Sequence, residues 1–149
     1  MTFRPQTLRL VALASMTSAL CGLGAQCVTQ PPAGTVVNVA LREFTVTPDV
    51  ASAPAGTLTF HATNTGEFTH ELLVIKTDLA PDVLPTESDG RYQENGPGTE
   101  VMGETTELGP GESADLTLDL DAGKYVLICN MVDAEAHYAL GMRTGFTVE

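Results

Sequence analysis

Between residues 57 and 64 the chain alternates, with Leu58, Phe60 and Ala62 set against Thr57, Thr59, His61 and Thr63. A period of two predicts a β-strand with one buried face. The same alternation recurs over 113–120, where Ala114, Leu116, Leu118 and Leu120 are the apolar set. Residues 35–41 are rich in valine, and Phe44 and Val46 continue that alternation until Pro48 ends it. In 70–76, Leu72, Leu73, Val74 and Ile75 follow one another without a break, which suits a buried strand. Shorter strands are predicted over 104–108, 125–129 and 143–148. Turn signals lie at Ala53-Pro54-Ala55-Gly56, Asn64-Thr65-Gly66, Gly109-Pro110-Gly111 and Ala122-Gly123. About eight short strands at this spacing predict an all-β protein, a Greek-key sandwich or barrel. Residues 77–103 differ. Pro, Gly, Asp and Glu recur there with no sustained period, which predicts a long surface excursion with one short helical turn near 79–84.

A length of 149 residues makes one domain the expectation. Residues 1–27 read as an export signal. Arg4 and Arg9 form its basic start, and residues 10–25 are apolar and uncharged. Cys27 offers lipid acylation as an alternative, although Gln26 before it is wrong for a lipobox; an uncleaved membrane anchor is a third reading. Residues 28–149 are then the folded domain, in a periplasmic or other extracytoplasmic setting. With no tryptophan and few aromatics, its core must be mainly Val, Leu and Ala.

Charge narrows the partners. All 19 acidic residues follow the leader, whereas two of the seven basic ones, Arg4 and Arg9, lie inside it. Nucleic acid is disfavoured, because phosphates would be repelled. An acidic surface suits plain solubility, or steering toward a basic protein partner.

Cysteine usage points to chemistry. Of three cysteines, Cys21 and Cys27 belong to the leader, and Cys129 stands alone in the domain. Exported cysteines are usually paired, so a lone one calls for a ligand role or a reactive thiol. Cys129 ends a strand, His137 follows eight positions later, and Met142 comes five after that, just before the last strand. A loop between neighbouring strands can bring its ends, and these three side chains, to one point. His70 follows the Asn64-Thr65-Gly66 turn and is placed to add a second imidazole. His61 competes for that role but falls on the polar face of its strand. Taken singly, Cys129 reads as a small buried hydrophobe, Met142 as core filler, His137 as a surface histidine and His70 as a turn cap. Taken together, two histidines, one cysteine and a weak axial methionine make the set used by a type 1 (blue) copper site. Zinc is the rival metal, but methionine is a poor zinc donor.

The chain resembles the bacterial cupredoxins of the plastocyanin/azurin type. The resemblance is carried by Asn64-Thr65-Gly66, His70-Glu71, Gly103-Glu104, Leu108-Gly109-Pro110-Gly111, the run from Gly123 to Asn130, and His137-Tyr138-Ala139-Leu140-Gly141-Met142, with Phe146-Thr147-Val148 closing. It implies a single copper ion held by His70, Cys129, His137 and Met142, and single-electron transfer between redox partners rather than catalysis. Copper delivery or storage is the alternative, and a metal-free structural sandwich a third. The loop between Cys129 and His137 is longer than in plastocyanin or azurin. His137 is expected nearest the surface, flanked by an apolar docking patch of Met131, Val132, Ala139 and Leu140. Backbone amides of Glu71 or Asn130 are expected at the sulfur. A monomer that meets a basic redox partner, with a tether through its N-terminus as an option, completes the expectation.

Overall fold

The computed structural model describes residues 34–149. The expected leader, residues 1–27, lies outside the described residues. Nine strands and one helical turn follow in order: β1 (Thr35–Arg42), β2 (Thr45–Pro48), β3 (Ser52–Ala53), β4 (Gly56–Asn64), β5 (Leu73–Thr77), β6 (Thr99–Glu104), β7 (Ser113–Leu120), β8 (Gly123–Ile128), α1 (His137–Leu140) and β9 (Arg143–Val148). They form a sandwich of two sheets, ordered β2-β1-β4-β7 and β3-β9-β8-β5-β6. The expected all-β class therefore holds, with nine strands instead of about eight.

Alternation decides which face of the first sheet is buried. Val37, Val39 and Leu41 of β1 and Leu58, Phe60 and Ala62 of β4 point into the sandwich. The other face of β4 pairs with β7 through polar side chains. Thr57 meets Asp119, Thr59 meets Thr117, His61 meets Asp115 and Thr63 meets Ser113, at 2.6 to 2.9 Å. Such cross-strand pairs stabilise register on a wet face. His61 is thus occupied on the outside of the sheet.

In the second sheet β5 and β8 are buried on both faces, which explains their unbroken apolar runs. Val74, Leu127 and Phe146 face the sandwich core, where the Phe146 ring meets Phe60 edge-on at 5.6 Å. Leu73, Ile75, Val126 and Ile128 face the other way, into a second cluster with Leu84, Tyr92 and Tyr138.

That second cluster refines the reading of residues 77–103. Over 78–98 they are the expected irregular and mostly exposed excursion, but two of its side chains turn inward. Leu84 and Tyr92 come from this segment and cover the outer face of the sheet. No helical turn forms near 79–84; a single turn closes there, with Val83 N–H donating to Ala80 O at 3.1 Å. The segment ends early because β6 starts at Thr99, not at Glu104. Residues 105–108 instead pair with 70–72. Thr105 N–H donates to Leu72 O, and His70 and Leu108 exchange both backbone hydrogen bonds at 3.0 and 2.7 Å. The His70–Leu108 pairing is an isolated bridge, so β5 itself starts at Leu73 and His70 stands outside it.

Because Leu84 is 4 % exposed, Leu84→Ala should cost about 2–5 kcal/mol of unfolding free energy in a denaturant titration. A loss under about 0.5 kcal/mol, typical of an exposed loop position, would show that the segment does not cover the sheet.

Candidate metal centre

Sheet register brings the C-terminal residues together. β8 and β9 pair antiparallel, with Ile128 opposite Arg143. One step further sets Cys129 opposite Met142, and Cys129 N–H donates to Met142 O at 3.1 Å. Between them the chain makes a closed loop. Val132 bridges Ala136, and His137 N–H donates to Met131 O at 2.9 Å. The turn α1 begins at His137 and stops at Gly141, whose φ of 120° favours glycine. Met142 N–H then returns to His137 O at 3.0 Å.

His70 arrives from the other sheet connection, and a buried asparagine holds that arrival in place. Asn64 Nδ2 donates to Phe68 O at 2.7 Å and to Leu108 O at 2.8 Å, while its Oδ1 accepts from Gly66 N–H at 2.9 Å. One fully buried side chain therefore ties the 64–68 turn to the strand partner of His70.

The result is a convergent trio. His137 Nδ1 lies 3.4 Å from Cys129 Sγ, His70 Nδ1 lies 3.8 Å from it, and the two Nδ1 atoms are 3.2 Å apart. All three residues are buried, and their donor atoms could hold one metal ion. Met142 is fully buried in the same core cluster as Cys129. His61 is not near them; it is the one expected competitor that the fold removes.

Electrostatics at the trio follow from burial. Burial pushes the Cys129 thiol up to about 11, aided by the charges of Glu71 and Asp133 and opposed by the backbone amides of Glu71 and Met131. The expected pair of amides was Glu71 or Asn130. Glu71 holds, but Asn130 gives its amide to the Glu71 carboxylate, so Met131 takes that place at the sulfur. Glu71 itself is pushed up to about 7 by burial and by Glu104, Glu107 and Glu94. His137 is lowered by burial and by the charge His70 would carry.

The outer ring nitrogens both face carboxylates that sequence reasoning missed. His70 Nε2 lies 3.1 Å from Glu43 Oε1, and His137 Nε2 lies 3.2 Å from Asp133 Oδ2. Burial works against the Glu43 charge. Amides of Phe68, Glu43 itself and Glu67, with His70, outweigh it and hold the group at about 2. Asp133 sits four residues before His137, a spacing the sequence does display. Glu43 is 27 residues from His70 and leaves no local signal.

His137 is also more enclosed than expected, at 1 % exposure, with the Phe44 ring edge-on at 5.4 Å. Of the two imidazoles it is the one lining an open groove of about 570 Å³, together with Phe44, Phe68, Leu140 and the acidic Glu67, Asp133 and Glu135. Val132, Ala139 and Leu140 are exposed as expected; Met131 instead packs on the core.

The excursion braces this end of the sandwich. Asn130 accepts from Tyr92 N–H at 2.7 Å and donates to Tyr92 O at 3.1 Å. Tyr138 O–H donates to Pro81 O at 2.8 Å and accepts from Leu84 N–H at 3.1 Å. Neighbours of Cys129 and His137 are thereby fixed to a segment without regular structure.

No protein-family model matches the sequence, and no curated relative does. Solved structures do. Dithionite-reduced auracyanin from the photosynthetic bacterium Roseiflexus castenholzii is 26 % identical, with a TM-score of 0.57, and the match covers 78 % of this chain and 98 % of that one. Auracyanin A, a "blue" copper protein from Chloroflexus aurantiacus, is 20 % identical over 78 % of this chain and all of that one, with a TM-score of 0.54. Reduced rusticyanin is 22 % identical over 78 % and 81 %, with a TM-score of 0.51. The last two likenesses concern the fold.

Replacing Asn64 by Ala should lower stability by about 3 kcal/mol, since buried backbone groups lose their partner. Chemical denaturation measures it. A change within about 0.5 kcal/mol would mean that the turn before His70 is held by something else.

Proposed function

The chain is a cupredoxin in its fold, and we propose that it is one in function: a blue copper protein that carries single electrons between redox partners outside the cytoplasm. The observation behind this is the trio of His70, Cys129 and His137, with three donor atoms inside 4 Å of one another and no residue more than 1 % exposed. Two imine nitrogens facing each other beside a sulfur repel unless a cation or proton lies among them. The donor types decide which cation fits. Thiolate and imidazole, with Met142 as a weak thioether, suit copper, whereas zinc prefers four strong donors.

Bound by these residues, copper supplies a one-electron couple between its Cu(I) and Cu(II) states. The chain does the rest. Cys129 gives up its proton to bind, because burial alone would keep it as a thiol. His70 is fixed by the Asn64 turn and His137 by the closed 130–136 loop, so the donors need little movement when charge changes. The core around Met142 and Cys129 excludes water. Burial of all three donors, with only His137 lining an outside groove, favours an electron carrier over a delivery protein, whose metal must be reached by an acceptor.

Partner docking belongs to the groove beside His137. Phe44, Phe68 and Leu140 give it an apolar floor; Glu67, Asp133 and Glu135 give it an acidic rim. Phe68 is half exposed. Transient redox complexes use small apolar contacts with charge to steer them. A basic redox protein, meeting this monomer there, fits both features. Export rests on residues 1–27, with a lipid or membrane tether as the variant.

Cu(II)-loaded protein should show an intense thiolate-to-copper band in the visible spectrum and a narrow copper hyperfine splitting in EPR, both lost in Cys129→Ser. A colourless copper complex would sink the reading. Reversing the rim with Glu67→Lys and Glu135→Lys should slow oxidation by a cationic cobalt(III) complex roughly tenfold at low ionic strength, with the difference fading in high salt. Equal rates at low salt would remove the groove from the account.

A further inference from the structure

Both imidazoles present the same nitrogen to the sulfur and the same nitrogen to a carboxylate. Each Nδ1 turns inward, 3.8 Å (His70) and 3.4 Å (His137) from Cys129 Sγ. Each Nε2 turns outward, 3.1 Å from Glu43 and 3.2 Å from Asp133. An ionised carboxylate can only accept, so each Nε2 carries the proton and each Nδ1 keeps its lone pair for the centre.

We infer that Glu43 and Asp133 are positioning residues that fix the tautomers of His70 and His137 and, by their charge, lower the reduction potential of the centre. Resting on the copper reading, this adds which residues beyond the donors tune the site. Outer carboxylates of this kind orient a ligating imidazole and raise its basicity. Negative charge behind the rings favours the more highly charged metal state.

The two are unequal. Glu43 is the better fixed, because its Oε1 also accepts from Glu67 N–H and Phe68 N–H at 2.7 Å each, and its side chain is 20 % exposed. Asp133 makes one such contact from an exposed side chain, at 53 % exposure, where solvent screens it. Gly66 supplies an independent handle. A Cβ on it would collide with the Glu43 carboxylate, the free end of a side chain that can swing away. Gly66→Ala therefore keeps the charge in the protein but takes it off the ring.

The test compares Glu43→Gln, Glu43→Ala, Gly66→Ala, Asp133→Asn and Asp133→Ala with the parent, all copper-loaded. In the reduced, diamagnetic form, ¹⁵N-edited NMR should find a proton on Nε2 of both rings, that of His70 protected from exchange. Glu43→Ala and Gly66→Ala should lose this protection and bind copper about 10- to 100-fold more weakly in competition titrations. Glu43→Gln still accepts the hydrogen bond. It should restore most of the affinity, yet shift the potential upward, because only the charge is gone. The Asp133 variants should act in the same direction on His137, by less. A ring without a proton on Nε2 in the parent overturns the inference. So do Glu43→Gln and Glu43→Ala with the parent's potential and exchange rates. If the parent shows the thiolate band while the variants do nothing, this inference alone fails; if the parent lacks the band, the copper reading fails with it.

Discussion

A sulfur and two imine nitrogens buried together, with no charge of opposite sign among them, is an arrangement a protein interior does not tolerate for free. Burial that raises the Cys129 thiol to about 11 expresses the same conflict from the side of the proton. A cation resolves all three donors at once, and most other features of this end of the sandwich either hold the donors in that position or keep water from them. Metal binding and stability of the closed loop are then coupled, since the donors must deprotonate to bind.

Holding them is a matter of register. The pairing of β8 with β9 puts Cys129 beside Met142, and the antiparallel exchange between His70 and Leu108 carries His70 to the same end. Both pairings extend the five-stranded sheet, and Asn64 at the end of β4 ties them to the other sheet. The segment between β5 and β6 adds a third layer, with Tyr92 and Leu84 covering the second sheet while Asn130 and Tyr138 tie its backbone to the ligand loop. A loop of seven residues between Cys129 and His137 is long enough to flex. Its bridge from Val132 to Ala136 and these outer hydrogen bonds are what hold it.

The sequence displayed the strands with a period of two most clearly. In β4 and β7 one face is wet, so alternation survives and register follows from it. It was equally informative about Cys129, His137 and Met142, because residues around one strand-to-strand loop need no distant information, whereas His70, 59 residues before Cys129, was placed only by the turn ahead of it. It failed where both faces are buried. Leu73, Ile75, Val126 and Ile128 showed that something covers the second sheet, but the cover is built from isolated residues, Leu84 and Tyr92, in a segment of polar and turn residues. Edge pairing was also hidden. β6 runs over Thr99–Glu104, where Gly103 passes close beneath Leu118, and nothing in the local pattern separates it from 105–108. Glu43 escaped because it meets His70 only through the turn between β1 and β2. Contacts set by tertiary structure between short polar side chains have no periodicity to read.

The central claim is one ion at one place, and anomalous diffraction from crystals of the copper-loaded protein, recorded on both sides of the copper edge, addresses it directly. The account predicts a single strong peak among His70 Nδ1, Cys129 Sγ and His137 Nδ1. Density instead at the His61–Asp115 pair or along the acidic groove, with the buried trio empty, would contradict it.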